Sequence, residues 1–95
     1  MRLNQHQINY FKKLSLEIFN SDDIYLFGSR TDDSLRGGDI DIYIQTKKKD
    51  NILKSKIIFL REFEKEFGEQ KIDLIIDNHT VQKEIFEIAK QGIKL

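Results

Sequence analysis

The chain has 95 residues, 39% apolar and 34% charged, with 16 Lys and Arg matched by 16 Asp and Glu. That length gives one small domain over 1–95 with a thin core, and zero Cys excludes a disulfide framework, a thiolate metal site and a cysteine nucleophile. Zero net charge argues against a nucleic-acid binder, no apolar run reaches the roughly 20 residues of a bilayer span, and the first residues lack a signal peptide's apolar stretch, so an intracellular, cytoplasmic protein is expected.

Ile8, Phe11, Leu14 and Ile18 recur every three or four positions, which predicts an amphipathic helix over about 4–20, ended by Asn20-Ser21-Asp22-Asp23. Ile24-Tyr25-Leu26-Phe27 is aromatic and β-branched and reads as a buried strand closed by Gly28-Ser29. Residues 30–38 hold Thr31, two Asp, Ser34, Gly37 and Gly38 and predict a loop with one helical turn. From Asp39 to Gln45 the pattern alternates strictly, with Ile40, Ile42 and Ile44 to one side and Asp39, Asp41 and Tyr43 to the other.

Thr46-Lys47-Lys48-Lys49 reads as a solvated turn. A second helix is expected from about Asp50 to Phe67, capped by Asp50, with Leu53, Ile57, Leu60, Phe63 and Phe67 as its core stripe. Gly68 suits a left-handed C-terminal cap, and Lys71 to Asp77 predicts a third strand with Ile72, Leu74 and Ile76 on one face. Thr80 is placed to cap a third helix with Val81, Ile85, Ile88 and Ala89 on its stripe and Gly92 at its end. The order α-β-β-α-β-α predicts a two-layer α+β domain with a small mixed sheet packed on helices.

The acidic residues on strands are the informative departure, because Asp is disfavoured there. Asp39 and Asp41 project from one face with Cα atoms about 6.6 Å apart. Two ionised carboxylates at that separation repel by roughly 2–3 kcal/mol at an effective dielectric near 20, a penalty that a divalent cation removes. Mg²⁺ suits oxygen donors that leave positions for water and phosphate. Asp73 holds the corresponding place on the third strand and converges on the pair if strands two and three are neighbours in register. Asp77 shares that face and is the alternative partner, but Asp73 is flanked by branched apolar residues in the strand interior whereas Asp77 abuts the Asn78-His79 turn. Tyr43 also shares the face, with bordering the nucleotide and packing as equal options. His6 and His79 lack companions and receive no catalytic role.

Upstream, Phe27-Gly28-Ser29-Arg30 sets a glycine where a strand turns sharply, so that backbone N–H groups can approach an anion. Ser29 and Asp32 have capping-box spacing, and Arg30 and Arg36 can add charge to a held phosphate. A phosphate cradle followed by paired carboxylates is what metal-assisted phosphoryl or nucleotidyl transfer requires.

Gly28-Ser29, nine intervening residues, Asp39-Ile40-Asp41-Ile42, and Asp73 within Ile72-Asp73-Leu74 together resemble the minimal nucleotidyltransferases of the DNA polymerase beta-like superfamily. The resemblance implies a nucleotidyltransferase-like fold, a nucleoside triphosphate bound at Gly28 and Ser29, and two Mg²⁺ ions held by Asp39 and Asp41. It implies Asp73 as the third carboxylate, ligating metal and helping to deprotonate the acceptor hydroxyl. The implied reaction moves AMP from ATP onto a hydroxyl, and many such proteins are antitoxins that adenylylate a tyrosine of a helical HEPN-type partner. A thin domain offers a shallow face, so a partner or second subunit is expected to complete the site, in a homo- or hetero-oligomer. The competing expectation is a catalytically weak nucleotide-binding module that neutralises a helical partner by complex formation.

Overall fold

The computed structural model describes residues 3–27, 40–78 and 92–95. Its elements run α1 (Gln5–Phe19), β1 (Asp23–Phe27), β2 (Ile40–Gln45), α2 (Ile52–Phe67), β3 (Ile72–Asp77) and β4 (Ile93–Lys94). Helix α1 starts in a reciprocal capping box. The Gln7 N–H donates to Asn4 Oδ1 at 2.8 Å, and the Asn4 N–H donates to Gln7 Oε1 at 3.1 Å. It ends at Asn20, whose φ of 53° turns the chain left-handed, while the buried Ser15 hydroxyl donates to Ser21 O at 2.7 Å.

The sheet order is β3-β2-β1-β4. Strands β2 and β3 run parallel, with α2 as their crossover, and β1 is antiparallel to both β2 and β4. The expected α+β class and mixed sheet are therefore present. Strand β4 was not foreseen. It pairs Leu26 with Ile93 and Tyr25 with Lys94, and the Leu95 N–H donates to Ile24 O at 2.8 Å. The third helix expected after Thr80 falls outside the described residues, as do Asp39 and the 30–38 loop.

Ile24 and Leu26 of β1, Ile40, Ile42 and Ile44 of β2 and Leu74 of β3 bury one sheet face against α1 and α2. Burial of apolar area drives that contact. Phe11 of α1 stacks between Phe59 and Phe63 of α2, with centroids at 5.9 and 4.3 Å.

Two expectations for α2 are corrected. The residue at its N-cap is Asn51, not Asp50, and Asn51 adopts φ 55° with no side-chain capping bond. A capping side chain needs an extended backbone to reach back to the free amides, and Asn51, left-handed at the cap position, does not supply it. Of the expected stripe Phe63 is buried and Leu60 and Phe67 pack against the core, whereas Leu53 is 71% exposed and Ile57 50% exposed, and Ser55 and Phe59 are buried in their stead. Phe59, stacked on Phe11 beside Phe63, turns the first half of the helix so that Leu53 and Ile57 face outward. Gly68 ends α2 with φ 85°, a value open to glycine without strain, and its N–H donates to Glu64 O at 2.8 Å. Among the described residues no helix is long and apolar enough to cross a membrane.

Candidate active site

The sheet face turned away from α1 and α2 carries three cross-strand rows. Phe27, Asp41 and Asp73 form the first, Tyr25, Tyr43 and Ile75 the second, and Asp23, Gln45 and Asp77 the third. Alternation fixes which side chains appear there: each isoleucine that builds the core on β2 sends its neighbour to this face.

Asp41 and Asp73 are Cα partners in the parallel ladder. Adjacent strands lie about 4.8 Å apart, so the two carboxylates rise side by side. Asp41 is half-buried and Asp73 is exposed, which leaves the outer side of the pair open to solvent and substrate. The ladder is closed at both ends, where the Ile40 N–H donates to Lys71 O at 3.0 Å and the Thr46 N–H donates to Asp77 O at 2.9 Å.

Asp77, the alternative partner, stands two rows from Asp41 and is engaged elsewhere. It is 4% exposed and accepts a hydrogen bond from Tyr43 Oη at 2.5 Å. Tyr43, fully buried, packs its ring on Tyr25 at 5.7 Å and forms a small second apolar cluster with Phe27. Tyr43 thus directs its hydroxyl away from the acidic row. Sequence reasoning placed Tyr43 and Asp77 on this face without joining them, because the diagonal between neighbouring strands is set by register.

Asp39, Gly28, Ser29 and Arg30 lie outside the described residues, so the structure brings together Asp41 and Asp73 of the expected set. Among the described residues no three His, Cys, Asp or Glu side chains form a group able to hold a metal ion. The donor chemistry of the pair nevertheless fits Mg²⁺: hard carboxylate oxygens from adjacent strands, one anchored in the sheet and one facing solvent. Two carboxylates in direct cross-strand register are an electrostatic cost that a cation offsets.

At the opposite end of the sheet, a cavity of about 690 Å³ lies between the end of α1 and the end of β2, lined by Phe19, Asn20, Ser21, Gln45 and Thr46 among others. Its hydroxyls are already committed. Ser21 Oγ donates to Gln45 O, and Thr46 Oγ1 donates to Phe19 O at 2.6 Å. No catalytic constellation faces it among the described residues.

No curated protein matches the chain. The family model described as polymerase beta, nucleotidyltransferase matches residues 8–95. With nearly the whole chain matched and two strand carboxylates side by side, the protein belongs to the polymerase beta-like nucleotidyltransferase family.

Proposed function

We propose that the chain is a minimal nucleotidyltransferase that moves AMP from ATP onto a hydroxyl of a helical partner, a HEPN-type protein whose tyrosine is the acceptor, as the antitoxin of a toxin–antitoxin pair. The observation that carries the enzymatic reading is the register of Asp41 with Asp73 inside a nucleotidyltransferase family domain.

Asp41 and Asp73, with Asp39 two positions before Asp41, would hold two Mg²⁺ ions, which supply Lewis-acid neutralisation of charge at the α-phosphate when bound. Gly28, Ser29 and Arg30 would hold the triphosphate. The acceptor oxygen attacks the α-phosphorus, and the bond from that phosphorus to the bridging oxygen of the β-phosphate breaks. Pyrophosphate leaves with the electron pair of that bond. The hydroxyl proton passes to Asp73, whose exposed carboxylate can reach an incoming group as general base. Asp41, half-buried, stands beside it in the ladder.

A second reading, a nucleotide-binding module that neutralises its partner without turnover, is favoured by one observation: Leu53 and Ile57 stand outward on α2, which packs on the sheet face opposite the acidic row. Incubation with α-labelled ATP, Mg²⁺ and the purified partner separates the two. Label on the partner that disappears in Asp41→Asn supports the enzyme. A tight complex with no label in either protein overturns it in favour of the module.

A further inference from the structure

We propose that the Tyr43–Asp77 hydrogen bond is a positioning device that locks β3 to β2 in the one register that sets Asp73 beside Asp41. The inference rests on the reading of Asp41 and Asp73 as the metal-holding pair. Among the described residues β3 ends the sheet, with β2 as its neighbour, so that one ladder carries its register there.

The apolar pattern narrows the register without completing it. A slip of one residue would turn Asp73 and Asp77 toward the core and is excluded by burial. A slip of two residues moves β3 by about 6.6 Å and keeps its faces. It would still set two of Ile72, Leu74 and Ile76 against two of Ile40, Ile42 and Ile44, all branched aliphatics of nearly equal bulk, and would cost one aliphatic pair at an end of the ladder. Backbone hydrogen bonds re-form in either arrangement. The pairing of Tyr43 Oη with Asp77 does not: after such a slip the place of Asp77 is taken by Ile75, which has no acceptor, or by His79, which offers one neutral ring nitrogen where a carboxylate stood. Both ends of the bond are buried, so losing it leaves a carboxylate without that donor away from water. The hydroxyl's direction is set from the other side as well, because Tyr25 of β1 packs on the Tyr43 ring. The bond therefore ties the acidic row to a single geometry from two rows away.

The test uses Mn²⁺ with a non-hydrolysable ATP analogue, read by loss of the free-ion electron paramagnetic resonance signal, together with cross-strand NMR contacts between residues 41 and 73. Tyr43→Phe and Asp77→Ala are expected to weaken Mn²⁺ binding about 10- to 100-fold and to blur those contacts, the range found when groups supporting metal ligands are removed. Asp77→Asn is expected to bind as the native chain does, because its amide oxygen still accepts from Tyr43. Native binding and intact 41–73 contacts in both Tyr43→Phe and Asp77→Ala would overturn the lock. So would Asp77→Asn losing as much as Asp77→Ala, since charge rather than the bond would then matter. If Tyr43→Phe does not fold, Asp77→Ala and Asp77→Asn decide together: loss in the first beside native affinity in the second supports the lock, and equal binding in the two overturns it. Asp41→Asn separates the two layers of the argument. Native protein that binds no Mn²⁺, or Asp41→Asn that binds it equally, removes the metal-pair reading itself, whereas loss in Asp41→Asn beside full binding in Tyr43→Phe and Asp77→Ala removes only the lock.

Discussion

Asp41 and Asp73 face each other as direct Cα partners across β2 and β3. Like charges so placed destabilise a sheet, so Asp73→Asn should make the metal-free chain more stable by about 0.2–1 kcal/mol. Thermal melts would show this as a rise of a few degrees in a domain of this size. Mg²⁺ with nucleotide should raise the melting temperature of the native chain and leave that of Asp73→Asn nearly unmoved, by mass action on the folded state. A metal-free variant less stable than the native chain would contradict the repulsion.

The packed and the outward positions of α2 should part company under substitution. Phe63, 1% exposed and stacked on Phe11, should cost about 3–5 kcal/mol when changed to Ala. Leu53→Ala should fall within about 0.5 kcal/mol of native, as exposed positions do. Urea unfolding of the two variants checks the order, and a Leu53 effect as large as that of Phe63 would refute the observed rotation of the helix.

The helix starts differ in the same way. Asn4→Ala removes the side chain that accepts from Gln7 and should cost about 1 kcal/mol. Asp50→Ala touches no capping bond and should change stability by less than about 0.5 kcal/mol. Equal losses at the two positions would show that Asp50 caps α2 in solution.

At the β1–β4 edge the Lys94 ammonium donates to Asp23 Oδ1 at 3.1 Å, and that hydrogen bond, then the charge of Asp23, holds the lysine above its ordinary 10.5. A raised folded-state value contributes stability that is complete below the unfolded value and is lost as pH rises through the folded one. The difference in melting temperature between the native chain and Lys94→Gln should therefore be constant at neutral pH and shrink only above about pH 10.5. It should also shrink with added salt, since the pair is exposed. A difference that vanishes at neutral pH would rule the pair out as a contributor.

Local pattern carried most of the framework. Ile40, Ile42 and Ile44 against Asp41 and Tyr43 could be read as a two-faced strand because backbone geometry alone enforces that alternation, and Asp73 followed from the same rule on β3. What escaped were properties decided by partners. Ile93–Lys94 has too few residues to show a period and exists as a strand because β1 offers it an edge. Phe63, Leu60 and Phe67 of α2 could be read as core, but the orientation of its first half depended on Phe59 meeting Phe11, which left Leu53 and Ile57 outward. The bond from Tyr43 to Asp77 needed a register that no single strand encodes.

Across β1, β2 and β3 the even-numbered side chains at 24, 26, 40, 42, 44, 72, 74 and 76 meet the helices, and the odd-numbered ones at 25, 27, 41, 43, 73, 75 and 77 meet the other side. Parity thus sorts the strands' residues into those that build the main core and those that carry the acidic row together with the small buried cluster of Phe27 and Tyr43 beside it. Deleting a single residue from the middle of β2 would exchange the two sets downstream, and no repair at one position could restore both.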